Sequence, residues 1–339
     1  MTSKLGPLYQ GQPERGSPTT EVVRDGAFPW IKGIDVETWP EPANVLFPGK
    51  KVLARFWIGS DAKEHAYMAR GRAGADEYAD LLMDRYYRVY NAGVRDVLGP
   101  NEPHPDGMTW QSYEAFEVRW VERVAEVGFR PWVWSFGVGW PGLIAGGDAV
   151  SVGRFRGSIS AAVDMGGGLE LHEYGAPNVL SGDGWWTLRY RKVLQELAAV
   201  GLDWVPIFIG ETGIDGGVIG QAGKGWKAFT TMGDYWLQLS AYDDELKRDA
   251  QVVAATPFLT NPNDAKWASF DVAEWLLRQM AEKPDQIPPV PPEPPRQCEA
   301  LVERVARLEM IVQELCYHGA DIAEGVSEWL DSLGRQLGA

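Results

Sequence analysis

Between residue 29 and about residue 282 the chain alternates short β-rich runs with amphipathic helical stretches, and this rhythm constrains its fold more than any other feature. The runs are WIKGIDV, KVLARFWI, VRDVL, RPWVWSF, LELHEY, WVPIFIG and QVVAATPF. Between them lie stretches such as EYADLLMDRYYRVYNAG, TWQSYEAFEVRWVERVAEVG and WTLRYRKVLQELAAVG, with the apolar spacing of helices packed on one side. Strands joined by helices pair in parallel, because a parallel partner is reached only through a crossover. Gly93, Gly128 and Gly201 end three of the helical stretches just before the next strand, where a left-handed cap is expected. The rhythm predicts an α/β fold, a (β/α)8 TIM-type barrel. Seven strands are visible where a barrel needs eight, because the sequence ahead of Arg55 is too compressed for two clear units. An open doubly wound sheet is the alternative architecture.

The flanks differ in kind. Residues 1–28 are polar and rich in Gly, Pro and Thr, and are expected to form an N-terminal arm with little structure of its own. The barrel is expected over residues 29–282. From Pro284 to Pro295, PDQIPPVPPEPP holds seven prolines in twelve residues. Such a stretch cannot form helix or sheet ladders and favours extended polyproline II, so residues 283–297 read as a linker. Residues 298–339 then read as a coiled-coil helix: Leu301, Val305, Leu308, Val312 and Leu315 occupy alternating d and a positions. Arg304 at g and Glu309 at e flank Val305 and Leu308, a pattern found in short trimeric coils, whereas Val at a with Leu at d favours dimers. The expectation is a homo-oligomer through residues 298–337, with the trimer preferred.

Charge and composition exclude several functions. The formal net charge is −15, so a surface that neutralises a nucleic-acid backbone is not expected. Two cysteines and four histidines leave no room for a disulfide framework or a four-thiolate zinc site. No metal or cofactor is expected. The opening MTSKLGPLYQGQPERGSPTT lacks a basic start followed by an apolar core, and no run of 18 apolar residues follows. The expected location is therefore the cytoplasm, with no membrane partner. Release by lysis, non-classical export or virion association are the alternatives.

The sharpest chemical signal is VRDVLGPNEPHPDG, where a strand runs through Gly99-Pro100 into Asn101-Glu102-Pro103. Barrel strands present their C-terminal ends to the active site. Partial desolvation there raises the pKa of a carboxylic acid towards neutrality, and the Asn amide can meet a substrate hydroxyl. A second carboxylate stands in the same context: VPIFIGETGIDGG carries a strand into Gly210-Glu211-Thr212-Gly213. Two glutamates on different strand ends can lie about 5 Å apart, the spacing that suits a covalent, retaining glycosidase. Between them LELHEYG places His172 and Tyr174 on one face of a strand, with Glu173 on the other. Tyr174 can then hydrogen-bond a carboxylate and orient it.

These motifs together resemble the clan A retaining glycoside hydrolases, a cellulase-like superfamily of (β/α)8 barrels. The resemblance covers about residues 29–282. It implies that VRDVL is strand 4 and RPWVWSF, LELHEY, WVPIFIG and QVVAATPF are strands 5 to 8. It further implies Glu102 as acid/base with Asn101 on the sugar 2-hydroxyl, and Glu211 as nucleophile supported by His172 and Tyr174. Arg55 would correspond to an arginine beneath the nucleophile. Many relatives end strand 8 in a tryptophan that serves as a sugar platform. Here TPFLTNPND offers Phe258, with Trp267 beyond it.

Trp132 and Trp134 alternate with Val133, so both should point to one side, and core packing is the expected role for each. Trp140, in the GVGWPG loop, is the best candidate for an exposed sugar platform, with Trp185 and Trp186 as further cleft candidates. His104, Asp106 and His172 form the one cluster with any metal-site character. The expected function is hydrolysis of a β-linked poly- or oligosaccharide. A non-catalytic carbohydrate-binding or structural oligomer on the same barrel is the second expectation. A metal-dependent carbohydrate deacetylase or hydrolase using His104 and Asp106 is the third.

Overall fold

A computed structural model of the protein describes residues 3–28, 30–104, 107–144 and 151–282. The linker and coiled coil expected over 283–339 lie outside the described residues. Eight parallel strands follow one another round a single sheet: β1 (Leu8–Tyr9), β2 (Trp30–Ile34), β3 (Lys51–Arg55), β4 (Asp96–Leu98), β5 (Arg130–Phe136), β6 (Gly168–Gly175), β7 (Ile207–Ile214) and β8 (Val252–Pro257). Each pairs with the next in sequence. Parallel bridges Leu5↔Ala255 and Tyr9↔Thr260 bring the first strand back onto the last. The backbone bonds Gly6 N→Ala255 O (2.9 Å) and Ala255 N→Lys4 O (2.8 Å) hold that seam. This is the (β/α)8 architecture, and the seam rules out an open doubly wound sheet.

Helices cross over after every strand. They are α1 (Pro18–Asp25), α2 (Ala43–Leu46), α3 (Asp61–Met68), α4 (Gly71–Asn91), α5 (Trp110–Val127), α6 (Arg156–Asp164), α7 (Tyr190–Ala198), α8 (Met232–Leu246) and α9 (Glu274–Glu282). Gly128 ends α5 at φ 100°, as its position in the sequence predicts. The seven runs read from the sequence are β2 to β8. The eighth strand, β1, lies inside the stretch expected to be an unstructured arm, and α1 follows it there. The ladder of β1 is only two residues long, too short for alternation to show. Yet Leu8 and Tyr9 are fully buried. Gly6 makes the fit, since a Cβ there would lie 2.4 Å from the Trp30 carbonyl oxygen on β2. Ser17 caps α1 by accepting from the Thr20 N–H, and Pro18 takes the first helical turn.

The barrel interior has two layers. Trp30, Leu53, Leu98, Trp132, Phe208 and Ala254 make a closed apolar cluster. The Trp30, Trp132 and Phe208 rings meet edge to face at 5.4–5.8 Å. Two residues further along β2 and β3 the same inward face carries Lys32 and Arg55, because strand side chains alternate. On β5 that alternation breaks. Trp134 and Ser135 adopt φ 89° and 46°, and the pairing with β6 shifts register between Trp134 and Phe136. Trp132 therefore faces the barrel interior, whereas Trp134 packs against Phe136 and Phe155 at 5.3 and 5.5 Å. The expected shared side is corrected by this bulge, which also turns Ser135 inwards.

Candidate active site

The residues singled out in the sequence converge on the C-terminal mouth of the barrel. Glu102 follows β4 in a left-handed conformation (φ 39°). Its N–H donates to the Ser135 carbonyl at 3.0 Å, and its carbonyl meets His65 Nε2 at 3.0 Å. Asn101 beside it is buried, its N–H bonded to Glu64 Oε2 at 2.6 Å. Glu211 stands on β7 with 9% of its side chain exposed, against 43% for Glu102, so the first is the floor of the cleft and the second its open wall. The Tyr174 hydroxyl donates to Glu211 Oε2 at 2.8 Å. Arg55 Nη1 lies 4.0 Å from Glu211 Oε1, and Lys32 Nζ is nearer, at 3.5 Å.

His172 links the two carboxylates. Its Nδ1 lies 2.8 Å from Glu102 Oε1 and 3.6 Å from Glu211 Oε2, and its Nε2 lies 3.4 Å from Glu170 Oε1. Burial acts to lower the imidazole pKa, but the charges of Glu211 and Glu170 and the hydrogen bonds to Glu102 and Glu170 lift it to about 10. The charged form of the ring is therefore favoured at neutral pH. For Glu102, burial pushes upwards, but the hydrogen bond and charge of His172, helped by Arg55, hold the carboxyl below its ordinary range. The expected rise of the Glu102 pKa is thus corrected: the imidazole beside it favours the carboxylate.

One ligand atom from each of Glu102, His172 and Glu211 lies within 4.8 Å of the others, the geometry from which a cation could be held. A metal would first have to displace the proton from His172 Nδ1. Of the metal cluster suggested by the sequence, Asp106 lies outside the described residues. His104 sits edge-on to Trp140, at 5.2 Å between ring centres.

Two hollows meet at Glu102. One of about 390 Å³ holds Arg55, Asn101, Glu211, Trp57, Phe258 and Trp267; the other, of about 600 Å³, holds His65, His104, Trp140 and Trp186. Asp61, Glu102, Tyr174 and Asp215 line both. Phe258 is 8% exposed and supports Trp267, whose ring meets it edge-on at 5.3 Å. Trp185 stands 37% exposed with Lys192 Nζ over its ring, and is not among the residues lining either hollow.

Sequence reasoning missed Lys32, Glu64, Ser135 and Glu170. The alternation that turns His172 and Tyr174 inwards also turns Glu170 inwards, and a lysine inside the apolar run WIKGI is the matching signal on β2. Ser135 had no such signal, because a bulge delivers it.

No protein-family model matches the chain, and no curated protein matches it. Among solved structures, a GH5_18 protein from Bifidobacterium longum subsp. infantis is similar at 13% identity and a TM-score of 0.51, covering 83% of this chain and 78% of that one. A GH128 subgroup II endo-β-1,3-glucanase from Sorangium cellulosum is similar at 16% identity and a TM-score of 0.49, covering 83% of this chain and 98% of that one. A glycoside hydrolase family 5 enzyme from Prevotella bryantii B14 is similar at 11% identity and a TM-score of 0.46, covering 80% and 88%. At 13% identity the likeness to the Bifidobacterium protein is one of fold alone.

Proposed function

We propose that the protein is a glycoside hydrolase that cleaves a β-linked glycan with retention of configuration. The observation that carries this is the pair of glutamates at the ends of β4 and β7, each placing one carboxylate oxygen within 4.8 Å of an oxygen of the other, close enough for the shorter of the two spacings that glycosidases use. Retaining enzymes hold their carboxyl groups about 5–5.5 Å apart, whereas inverting enzymes leave about 6.5–9.5 Å for a water. Glu211 is the nucleophile, buried and oriented by the Tyr174 hydroxyl. Glu102 is the acid/base, open to the cleft on the side where the leaving group departs. Asn101 meets the sugar 2-hydroxyl, and Arg55 and His172 support the two carboxylates. The hollow that contains Glu211 takes the sugar being attacked, and the hollow beyond Glu102 takes the leaving group. Residues 298–337 belong to the same proposal as a trimerising helix. Light scattering of the full chain tests that part: a monomer rejects the coil and a dimer rejects the trimer.

Glu211→Gln is expected to lower turnover by roughly four orders of magnitude or more, since an amide is a poor nucleophile. Glu102→Ala is expected to spare glycosylation by activated aryl glycosides, whose leaving group needs no proton. Azide should then partly restore its turnover and give a glycosyl azide of retained configuration. Turnover that survives both substitutions would sink the assignment. A non-catalytic carbohydrate-binding barrel is the second reading, favoured by the His172 contact that holds the Glu102 carboxyl below its ordinary range. It predicts glycan binding with no new reducing ends.

A further inference from the structure

Beneath the two glutamates lie two charged side chains that the proposed chemistry has not used. Lys32 on β2 and Glu170 on β6 are both wholly buried, and Lys32 Nζ donates to Glu170 Oε1 at 2.7 Å. A buried ion pair is a weak source of stability, because desolvation offsets most of the attraction. Its connections give it another use. The same Glu170 oxygen lies 3.4 Å from His172 Nε2, and Lys32 Nζ lies 3.5 Å from Glu211 Oε1. The sequence Glu102–His172–Glu170–Lys32–Glu211 therefore alternates in sign from one carboxylate of the cleft to the other. Gly210 is shaped for it. A Cβ there would fall 1.3 Å from Glu170 Oε1, so only glycine before Glu211 lets that carboxylate reach Lys32.

We propose that His172 stores the proton that Glu102 delivers, and that Lys32 and Glu170 are the positioning pair that keeps it stored; this rests on the glycosidase reading above. Lys32, Arg55 and His172 balance Glu102, Glu170 and Glu211, so the inner set is neutral only while the imidazole is charged. The other charged groups facing the set push in the same direction. Asp61 and Glu64 on α3 approach Arg55, Asp215 after β7 faces Glu102 and Glu211, and Tyr174 is neutral. Burial acts against ionising Glu170, but the charges of Lys32 and His172 outweigh it and hold its pKa at about 2.

The steps balance. The His172 Nδ1–H bond breaks as a Glu102 Oε1–H bond forms across 2.8 Å. Glu102 passes that proton to the glycosidic oxygen as the C–O bond breaks, and a Glu211 oxygen bonds to the anomeric carbon. The negative charge on Glu211 and the positive charge on His172 disappear together, so the buried set stays neutral in the glycosyl-enzyme. In the second step water bonds to the anomeric carbon and gives its proton to Glu102. Glu211 departs with its electron pair, and the proton returns to His172.

Imidazole NMR of the ¹⁵N-labelled full chain tests this, with His172→Gln assigning the signal among the four histidines. Wild-type His172 is expected to carry protons on both nitrogens at pH 8. In the charge-neutral double variant Lys32→Met/Glu170→Gln, which leaves no unpaired buried ion, its titration should fall by about one to three pH units. The basic limb of kcat/KM should fall with it on a glycan substrate, and not on an activated aryl glycoside. Glu170→Asp, which keeps the charge, should restore the wild-type limb. A wild-type His172 neutral at pH 8, or a titration unmoved in the double variant, overturns the proposal. A wild-type protein that hydrolyses no glycoside defeats the functional reading instead, and the NMR titration still decides where the proton rests.

Discussion

The two layers of the barrel interior are built from the same strands two residues apart, and they do opposite things. Trp30 and Leu53 close the bottom in a cluster of apolar rings, while Lys32 and Arg55, one alternation higher, face a nest of carboxylates. Apolar burial stabilises by roughly 25 cal/mol per Å², whereas the ion pairs above it roughly break even against desolvation. The lower layer is a foundation, and the upper layer is an electrostatic device standing on it. A barrel can hold the six charged side chains of this inner set because their charges sum to zero and the layer below needs no help from them.

Exchanging damage between the layers gives the largest expected effect. Trp132→Ala removes a fully packed ring from the lower layer and should cost about 3–5 kcal/mol in denaturant unfolding. Tyr174→Phe in the upper layer removes one hydroxyl and its bond to Glu211, so it should cost about 1 kcal/mol or less in the same measurement. Its turnover should nonetheless fall at least tenfold, because Glu211 loses its orienting donor. Equal stability losses at the two positions would break the comparison.

A smaller effect comes from pH. Burial raises Glu64 and Glu173 to about 7 and Glu117 to about 8, from an ordinary 4.5. The folded chain thus holds protons that the unfolded chain releases, and that contribution is lost as pH rises from 4.5 through 8. His172 acts with the same sign: its contribution is full below 6.5 and lost as pH rises through about 10. Glu170 acts oppositely, contributing above 4.5 and losing that as pH falls through about 2. The unfolding temperature should therefore peak near pH 5 and decline steadily to pH 10. A peak at pH 8 would mean that these buried groups do not hold their protons as described.

Much of this was legible in the sequence where periodicity is long. Seven strands, their order and the mouth positions of Glu102, His172, Tyr174 and Glu211 follow from apolar runs that end in Gly, Asn and Glu. What was hidden had short or broken periods. β1 pairs through two residues and is fixed by contacts with strands far away in sequence. Trp134 and Ser135 escape alternation through a bulge that no local composition announces. The protonation of Glu102 is hidden for a different reason: a pKa depends on which charge stands beside it, and that partner, His172, comes from another strand.

The smallest expected effect lies at the rim, where aromatic rings sit on both sides of the carboxylate pair. Trp267 is half-buried over Phe258 in the hollow that contains Glu211, and Trp140 is half-buried beside His104 in the other. Neither belongs to the barrel layers, so Trp267→Ala and Trp140→Ala should each change stability by about 1 kcal/mol or less. A ring that stacks on a sugar contributes roughly 0.5–1.5 kcal/mol, so each loss should raise KM for a long glycan about three- to tenfold with kcat little changed. The two variants should part on a short aryl glycoside that fills only the Glu211 side. Trp267→Ala should weaken its binding, whereas Trp140→Ala should leave it unaffected, because no sugar reaches that ring. Were Trp140→Ala to weaken the short substrate instead, the direction of the glycan across the cleft would be reversed, and Glu102 would face the wrong hollow for a leaving group.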